Sequence, residues 1–187
     1  QQVRRSAKTL ITIGACATAG GIQALRNYQD TAEMVRTVYA KPDFISTLKM
    51  STPIAEHVPV DFELRGCPVQ KYHLIELITA TLIGRKPNIP TYSVCIECKR
   101  KGNLCVAVAQ GTMCLGPVTM AGCGALCPAF NRGCYGCFGP MESANAGALT
   151  EAMLNNGSTV DEIQRNFRTY NAWAWQFRQA SEEVEKR

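Results

Sequence analysis

Apolar residues recur along this chain with two periods, interrupted by a long stretch that has neither. Residues 9–15, "TLITIGA", form a short apolar, β-branched run ending in glycine, the pattern of a buried strand. In "GACATAGGIQALRN" the small residues predict a tight turn, with Gly20 and Gly21 leading into a helix from about Ile22. "VDFEL", 60–64, alternates and reads as a second strand. After "RGCPVQ" a helix is predicted over roughly 71–84, with Leu74, Ile75, Ile78 and Leu82 on one face. Two strand–loop–helix units of this kind build a parallel α/β sheet. Cys16 and Cys67 each fall in the loop after a strand, at the carboxyl edge where open parallel sheets keep their ligands.

The rest of the chain is less regular. Residues 41–59 carry prolines at 42, 53 and 59, and "GRKPNIPTYSV", 84–94, reads as a linker. From Cys95 to Pro140 there is little periodicity and much turn chemistry. "ESANAGALTEAMLNNG" then reads as a helix ending at Gly157, and "STVDEIQ" begins another, with Thr159 and Glu162 as a capping box. The last thirty residues are helical and polar, with aromatics at Tyr170, Trp173, Trp175 and Phe177, which read as helix packing. The predicted organisation is therefore α/β: a parallel-sheet domain over 1–92, then a loop-rich domain with C-terminal helices over 93–187. The opening "QQVRRSAKTLITIGAC" reads as the end of a helix feeding a strand, so the expectation is that further residues precede Gln1.

Composition narrows the function classes. Of 187 residues, 46% are hydrophobic, enough to bury a core. The formal charge is +5, with no lysine-rich run and no aromatic–basic interleaving, which speaks against nucleic acid as a partner. No apolar stretch approaches the ~20 residues needed to cross a bilayer. The longest, "HLIELITATLIG", carries Glu76.

Ten cysteines do change the picture, because eight of them lie between Cys95 and Cys137. Their spacing is C-x2-C-x6-C-x8-C-x8-C-x3-C-x6-C-x2-C, which divides into two quartets: Cys95, Cys98, Cys105, Cys114, and Cys123, Cys127, Cys134, Cys137. Disulfides suit short secreted chains that lack a core. Zinc takes four thiolates, usually as two CxxC pairs set a dozen or more residues apart. Iron–sulfur clusters take four thiolates wrapped closely, from loops whose glycines expose backbone N–H groups to the sulfides. The short gaps and the Gly and Pro neighbours favour two clusters, and two zinc ions in an interaction module stay open as the rival.

The motifs "GACATAGG", "ELRGCPV" and "CLGPVTMAGCGALCP…GCYGCFGP" resemble the small subunit of nickel–iron hydrogenases, in order and across nearly the whole chain. The resemblance implies a flavodoxin-like domain holding a proximal cluster, followed by an iron–sulfur domain with medial and distal clusters. It implies a partner, the large subunit, that carries the nickel–iron site. By that resemblance Cys16 and Cys67 match two proximal ligands. The family's other two come from an earlier CxxC-type motif, and none precedes Cys16 here. Cys95, Cys98, Cys105 and Cys114 match the distal cluster, with Cys95 where many relatives have histidine. Cys127, Cys134 and Cys137 match the medial ligands, and Cys123 is an addition relative to periplasmic members with a three-iron medial cluster. A fourth thiolate there suits a 4Fe–4S cluster of lower potential, whereas three alone suit 3Fe–4S.

Both departures resemble the cytosolic-type enzymes, so the implied location is the cytoplasm, with any membrane association made through other subunits. The implied acceptor is a further subunit or carrier, linked to NAD(P), ferredoxin or quinone. The nearest enzymatic rival is the related 20 kDa subunit of complex I, which has one cluster and lacks an eight-cysteine domain. His57 and His73 read as structural residues. Lys99, Arg100 and Lys101 read either as a solvated loop or as a docking patch for an acidic electron carrier.

Overall fold

The computed structural model describes residues 1–186. Its first part runs α1 (Gln2–Ser6), β1 (Ile11–Ile13), α2 (Gly14–Ala19), a 3₁₀ helix over Ile22–Tyr28, α3 (Thr31–Val38), β2 (Phe62–Leu64) and α4 (Lys71–Leu82). β1 and β2 pair in parallel, with Ile11, Thr12 and Ile13 opposite Phe62, Glu63 and Leu64. The fold is α/β, and the two strands are those expected. Leu10 N–H donates to the Asp61 carboxylate at 2.7 Å, and Arg4 pairs with the same group, so α1 and the start of β1 are tied to β2.

Three local expectations change. "GACATA" is the helix α2, not a turn: Gly20, at φ +72°, supplies the left-handed cap that closes it, its N–H bonding Ala15 O. The segment from Ile22 winds as 3₁₀ helix. β1 buries only Thr12, and Ile13 is 47% exposed, because a two-stranded sheet covers one face of so short a strand.

α4 also turns a different face inward. Leu77 and Ala80 are buried, whereas Ile75, Ile78 and Leu82 are exposed. The helix is apolar on more than one side, so periodicity alone did not select the side that is buried. Beyond α4, Glu76 accepts hydrogen bonds from Arg85 and from Asn88 N–H, which folds residues 83–88 back along the helix. The Arg85 guanidinium first, and the Asn88 amide second, hold the Glu76 carboxyl down to about 2. A depressed carboxyl contributes stability above its ordinary value of 4.5 and loses it as pH falls toward about 2. Glu76→Gln is therefore expected to lower the denaturation midpoint at neutral pH, with the gap to the unsubstituted chain closing across that acid window. A gap that stays constant with pH would assign the effect to something other than this ion pair.

The second part carries α5 (Val94–Arg100), α6 (Val106–Gln110), α7 (Leu126–Ala129), α8 (Ala146–Asn155), α9 (Val160–Phe167) and α10 (Trp175–Glu185). The Thr159–Glu162 capping box opens α9 as the sequence predicts. α8, α9 and α10 bury Met153, Ile163, Phe167, Phe177 and Val184 together with Leu115 and Val118 from the cysteine-rich loops. The Phe167 and Phe177 rings lie 5.6 Å apart at the centre of that core. The helical core thus packs directly onto the segment between the two quartets. The two parts touch where Tyr28 OH donates to Ala172 O at 2.9 Å under the Arg168 guanidinium, and where Arg65 donates to Pro140 O. Among the described residues no helix is long and apolar enough to cross a membrane.

Candidate metal centre

Cys95 and Cys98 lie three apart on α5, so one helical turn puts them on one side. Cys105 caps the start of α6, and Cys114 is buried in the loop after it. Val94 N–H bonds Thr119 O at 2.9 Å and Ala121 N–H bonds Tyr92 O at 2.8 Å, which seats α5 beside the strand-like approach to Cys123. Leu115 N–H bonds Cys134 O at 3.0 Å, and Cys134 N–H donates to Cys114 Sγ at 3.2 Å. The two quartets are therefore laced together by backbone, with Cys114 at the seam.

The first quartet shares an electrostatic neighbourhood. Burial pushes the Cys95 thiol up to about 11, and Cys114, Cys98 and Cys105 add to it in that order. Gly116 leaves the space between two of these sulfurs open: a Cβ there would sit 3.2 Å from Cys114 Sγ and 3.5 Å from Cys95 Sγ.

The second quartet surrounds a cavity of about 340 Å³, lined by Cys123, Cys127, Cys134 and Cys137 with Cys67 and Phe138 among its other walls. Burial pushes the Cys137 thiol up to about 11, reinforced by Cys123, Cys127 and Cys67. Burial likewise raises Cys127 and, more strongly, Cys134, where a Gly136 N–H donated to the sulfur opposes it. A thiol held this high keeps its proton at neutral pH unless a metal takes the proton's place. Among the described residues, no three His, Cys, Asp or Glu side chains are gathered tightly enough for one ion. Four thiols lining one cavity, with a glycine N–H donated to one of the sulfurs, are a donor set that fits an iron–sulfur cluster.

Cys16 and Cys67 stand at the carboxyl edge of the sheet. Each comes three residues after one member of the Ile13–Leu64 pair, Cys16 within helix α2 and not in the expected loop, Cys67 in the turn ahead of α4, and Ala15 N–H bonds Gly66 O at 3.2 Å between the two segments. Both thiols are exposed. Cys67 reaches the cavity of the second quartet, whereas Cys16 lies outside that lining, 3.5 Å from Gln23 Oε1.

Sequence reasoning missed the residues that hold these loops. Asn171 is buried and donates to Gly136 O at 2.8 Å, and Thr169 donates to Tyr135 O at 2.9 Å, so the turn between α9 and α10 fixes the Cys134–Cys137 hairpin. Glu97 accepts from Gly122 N–H and Ala125 N–H, on either side of Cys123. The available signal for Glu97 was its place inside a CxxC helix, where a carboxylate is an unusual neighbour for two thiolates. Lys99, Arg100 and Lys101 are exposed at the end of α5, with Arg100 over the Tyr92 ring. His57 bonds Thr52 through Nε2, and His73 N–H is capped by Gln70.

The chain is similar to several known proteins. Residues 1–81 match the model of the family described as NADH ubiquinone oxidoreductase, 20 kDa subunit, and all eight clustered cysteines lie beyond that match. The delta subunit of sulfhydrogenase 2 from Pyrococcus furiosus is 35% identical over 173 residues, covering 92% of this chain and 72% of the relative. A subunit of the F420-non-reducing hydrogenase from Methanothermobacter marburgensis is 30% identical over 177 residues, covering 75% of this chain and 56% of the relative. This chain thus spans little more than half the length of that second relative. A crystal structure of an NAD⁺-reducing [NiFe]-hydrogenase in the H₂-reduced state is 31% identical, covers 46% of this chain and 56% of that one, and has a TM-score of 0.41. The chain belongs to the family of hydrogenase small-type subunits. Its relatives there are named as subunits of hydrogenases, which are oxidoreductase complexes.

Proposed function

We propose that this chain is the electron-transfer small subunit of a nickel–iron hydrogenase and that its cysteines hold iron–sulfur clusters. The observation that carries the reading is the cavity walled by Cys123, Cys127, Cys134 and Cys137, in a member of a family whose relatives are hydrogenase subunits. In this reading Cys95, Cys98, Cys105 and Cys114 hold the distal cluster. The second quartet holds the medial cluster, and Cys16 and Cys67 supply two ligands of the proximal one. The domain boundary falls near residue 92, ahead of α5. The clusters, 4Fe–4S where four thiolates are offered, supply one-electron steps between a nickel–iron large subunit and an external acceptor. The protein's own part is to orient the thiolates, exclude water and supply N–H donors such as those at Cys134 and Gly136. The complex acts in the cytoplasm in this reading. The exposed cations at the end of α5 lie beside the first quartet, where they would meet an acidic acceptor.

The test is to purify the chain with its complex without oxygen and to assay iron, acid-labile sulfide, zinc and visible absorption. The expected result is a brown protein whose broad visible band bleaches with dithionite. A colourless chain with stoichiometric zinc would replace this reading with the interaction module.

A further inference from the structure

Glu97 connects the two quartets in a way that spacing does not show. It sits on α5 between Cys95 and Cys98, yet its carboxylate leaves that helix. Oε1 accepts from Gly122 N–H at 3.1 Å and Oε2 from Ala125 N–H at 3.2 Å. Those two amides bracket Cys123, so one side chain grips the loop at both ends. The loop needs such a grip. Ala125 is fully buried and adopts a left-handed backbone, φ +51°, that a residue with a Cβ adopts only under constraint. Its buried N–H would otherwise have no partner. Gly122, at φ +142°, is pressed against His73, since a Cβ there would lie 2.6 Å from the imidazole Cε1. On the far side Lys101 reaches over Gly124, with Nζ 3.1 Å from where a Cβ would stand. The loop is thus enclosed by α4 and α5, and Glu97 is the side chain that bonds its backbone at both ends.

We propose that Glu97 is a positioning residue that fixes the Cys123 sulfur as the fourth ligand of the medial cluster, so that α5 controls how many irons that cluster keeps. The proposal rests on the reading of Cys123 as a cluster ligand. Each hydrogen bond to a carboxylate that is lost shifts the balance toward an open loop by about tenfold or more. With the loop open, one-electron oxidation of a bound four-iron cluster by ferricyanide would release one ferrous ion, and Cys127, Cys134 and Cys137 would hold the three irons left. Glutamine is an informative replacement. It keeps one acceptor oxygen but turns an NH₂ donor toward the other amide.

The experiment compares the unsubstituted chain, Glu97→Ala, Glu97→Gln and Cys123→Ala, each in its complex and titrated anaerobically with ferricyanide. EPR reads the three-iron signal, and hydrogen exchange reads the Gly122 and Ala125 amides. Glu97→Ala is expected to give the three-iron signal seen in Cys123→Ala, with exchange at both amides at least about tenfold faster than in the unsubstituted chain. Cys123→Ala should give the signal with both amides still protected, and Glu97→Gln should fall between. If Glu97→Ala fails to fold, Glu97→Gln carries the test, since it preserves shape. A four-iron medial cluster that survives oxidation equally in all Glu97 variants overturns the role of Glu97 and leaves the cluster assignment standing. A full three-iron signal already present in the unsubstituted chain removes Cys123 from the ligand set, and both readings of this loop fall together.

Discussion

Cys123→Ala is expected to remove one iron of four from the medial cluster and raise its potential, while the chain folds and the first quartet keeps its cluster. The reason is the position of this residue in a cavity whose walls carry the four thiols of the second quartet, with Cys67 beside them. Three remaining thiolates hold three irons, and the lost thiolate takes a negative charge away from the site, which favours the reduced form. The remaining walls, Cys127, Cys134 and Cys137, are anchored by contacts that do not pass through Cys123. The hairpin of Cys134 and Cys137 is held by Asn171 and Thr169, and Cys127 sits at the start of the short helix α7. EPR of the oxidised protein and a redox titration read the result. An unchanged spectrum and potential would show that the fourth thiolate comes from elsewhere, with Cys67, in the lining of the same cavity, the first residue to test.

Phe177→Ala is expected to destabilise the chain by about 3–5 kcal/mol, the cost of deleting a large aromatic from a packed core. Phe177 is fully buried against Phe167 and shares its cluster with Leu115, so the cavity would open under the loop that carries Cys114. For a chain of this size that corresponds to a fall in Tm of roughly 10 °C. Trp175 is the internal control. It is two residues away on the same helix but 62% exposed, so Trp175→Ala is expected to cost less than about 1 kcal/mol. Thermal denaturation of the two variants separates them, and equal losses would mean that this aromatic cluster is not organised around Phe177. Because this core includes Leu115, next to Cys114, and Phe177 lies against Gly136 between Cys134 and Cys137, cluster retention should fall with stability in Phe177→Ala and not in Trp175→Ala.

The Glu97 clamp gives this coupling a second route. Gly122 and Ala125 lie 25 and 28 residues from Glu97, so no local pattern announces the pairing. The same holds for Asn171, which reaches back 35 residues to the Cys134–Cys137 hairpin. α4 shows the limit from another side. Its helical period was readable, but Ile75, Ile78 and Leu82 are exposed while Leu77 and Ala80 are buried.

By itself the sequence determined the inventory and the short-range geometry. Helical and strand periods, the Thr159–Glu162 box, the spacing of the cysteines and the place of Cys67 in the turn after its strand all follow from contacts within a few residues, where backbone stereochemistry sets which atoms meet; the loop expected at Cys16 is instead the helix α2. Tertiary structure alone decided which thiols share a volume. It brought Cys67 from the sheet edge to the cavity of the second quartet, set Cys114 at the seam through the Cys134 amide, and turned the Glu97 carboxylate onto the loop of Cys123. Those placements depend on how the two-stranded sheet, α5 and the C-terminal helices pack, and packing is settled by the whole set of burials at once, not by the spacing of any one segment.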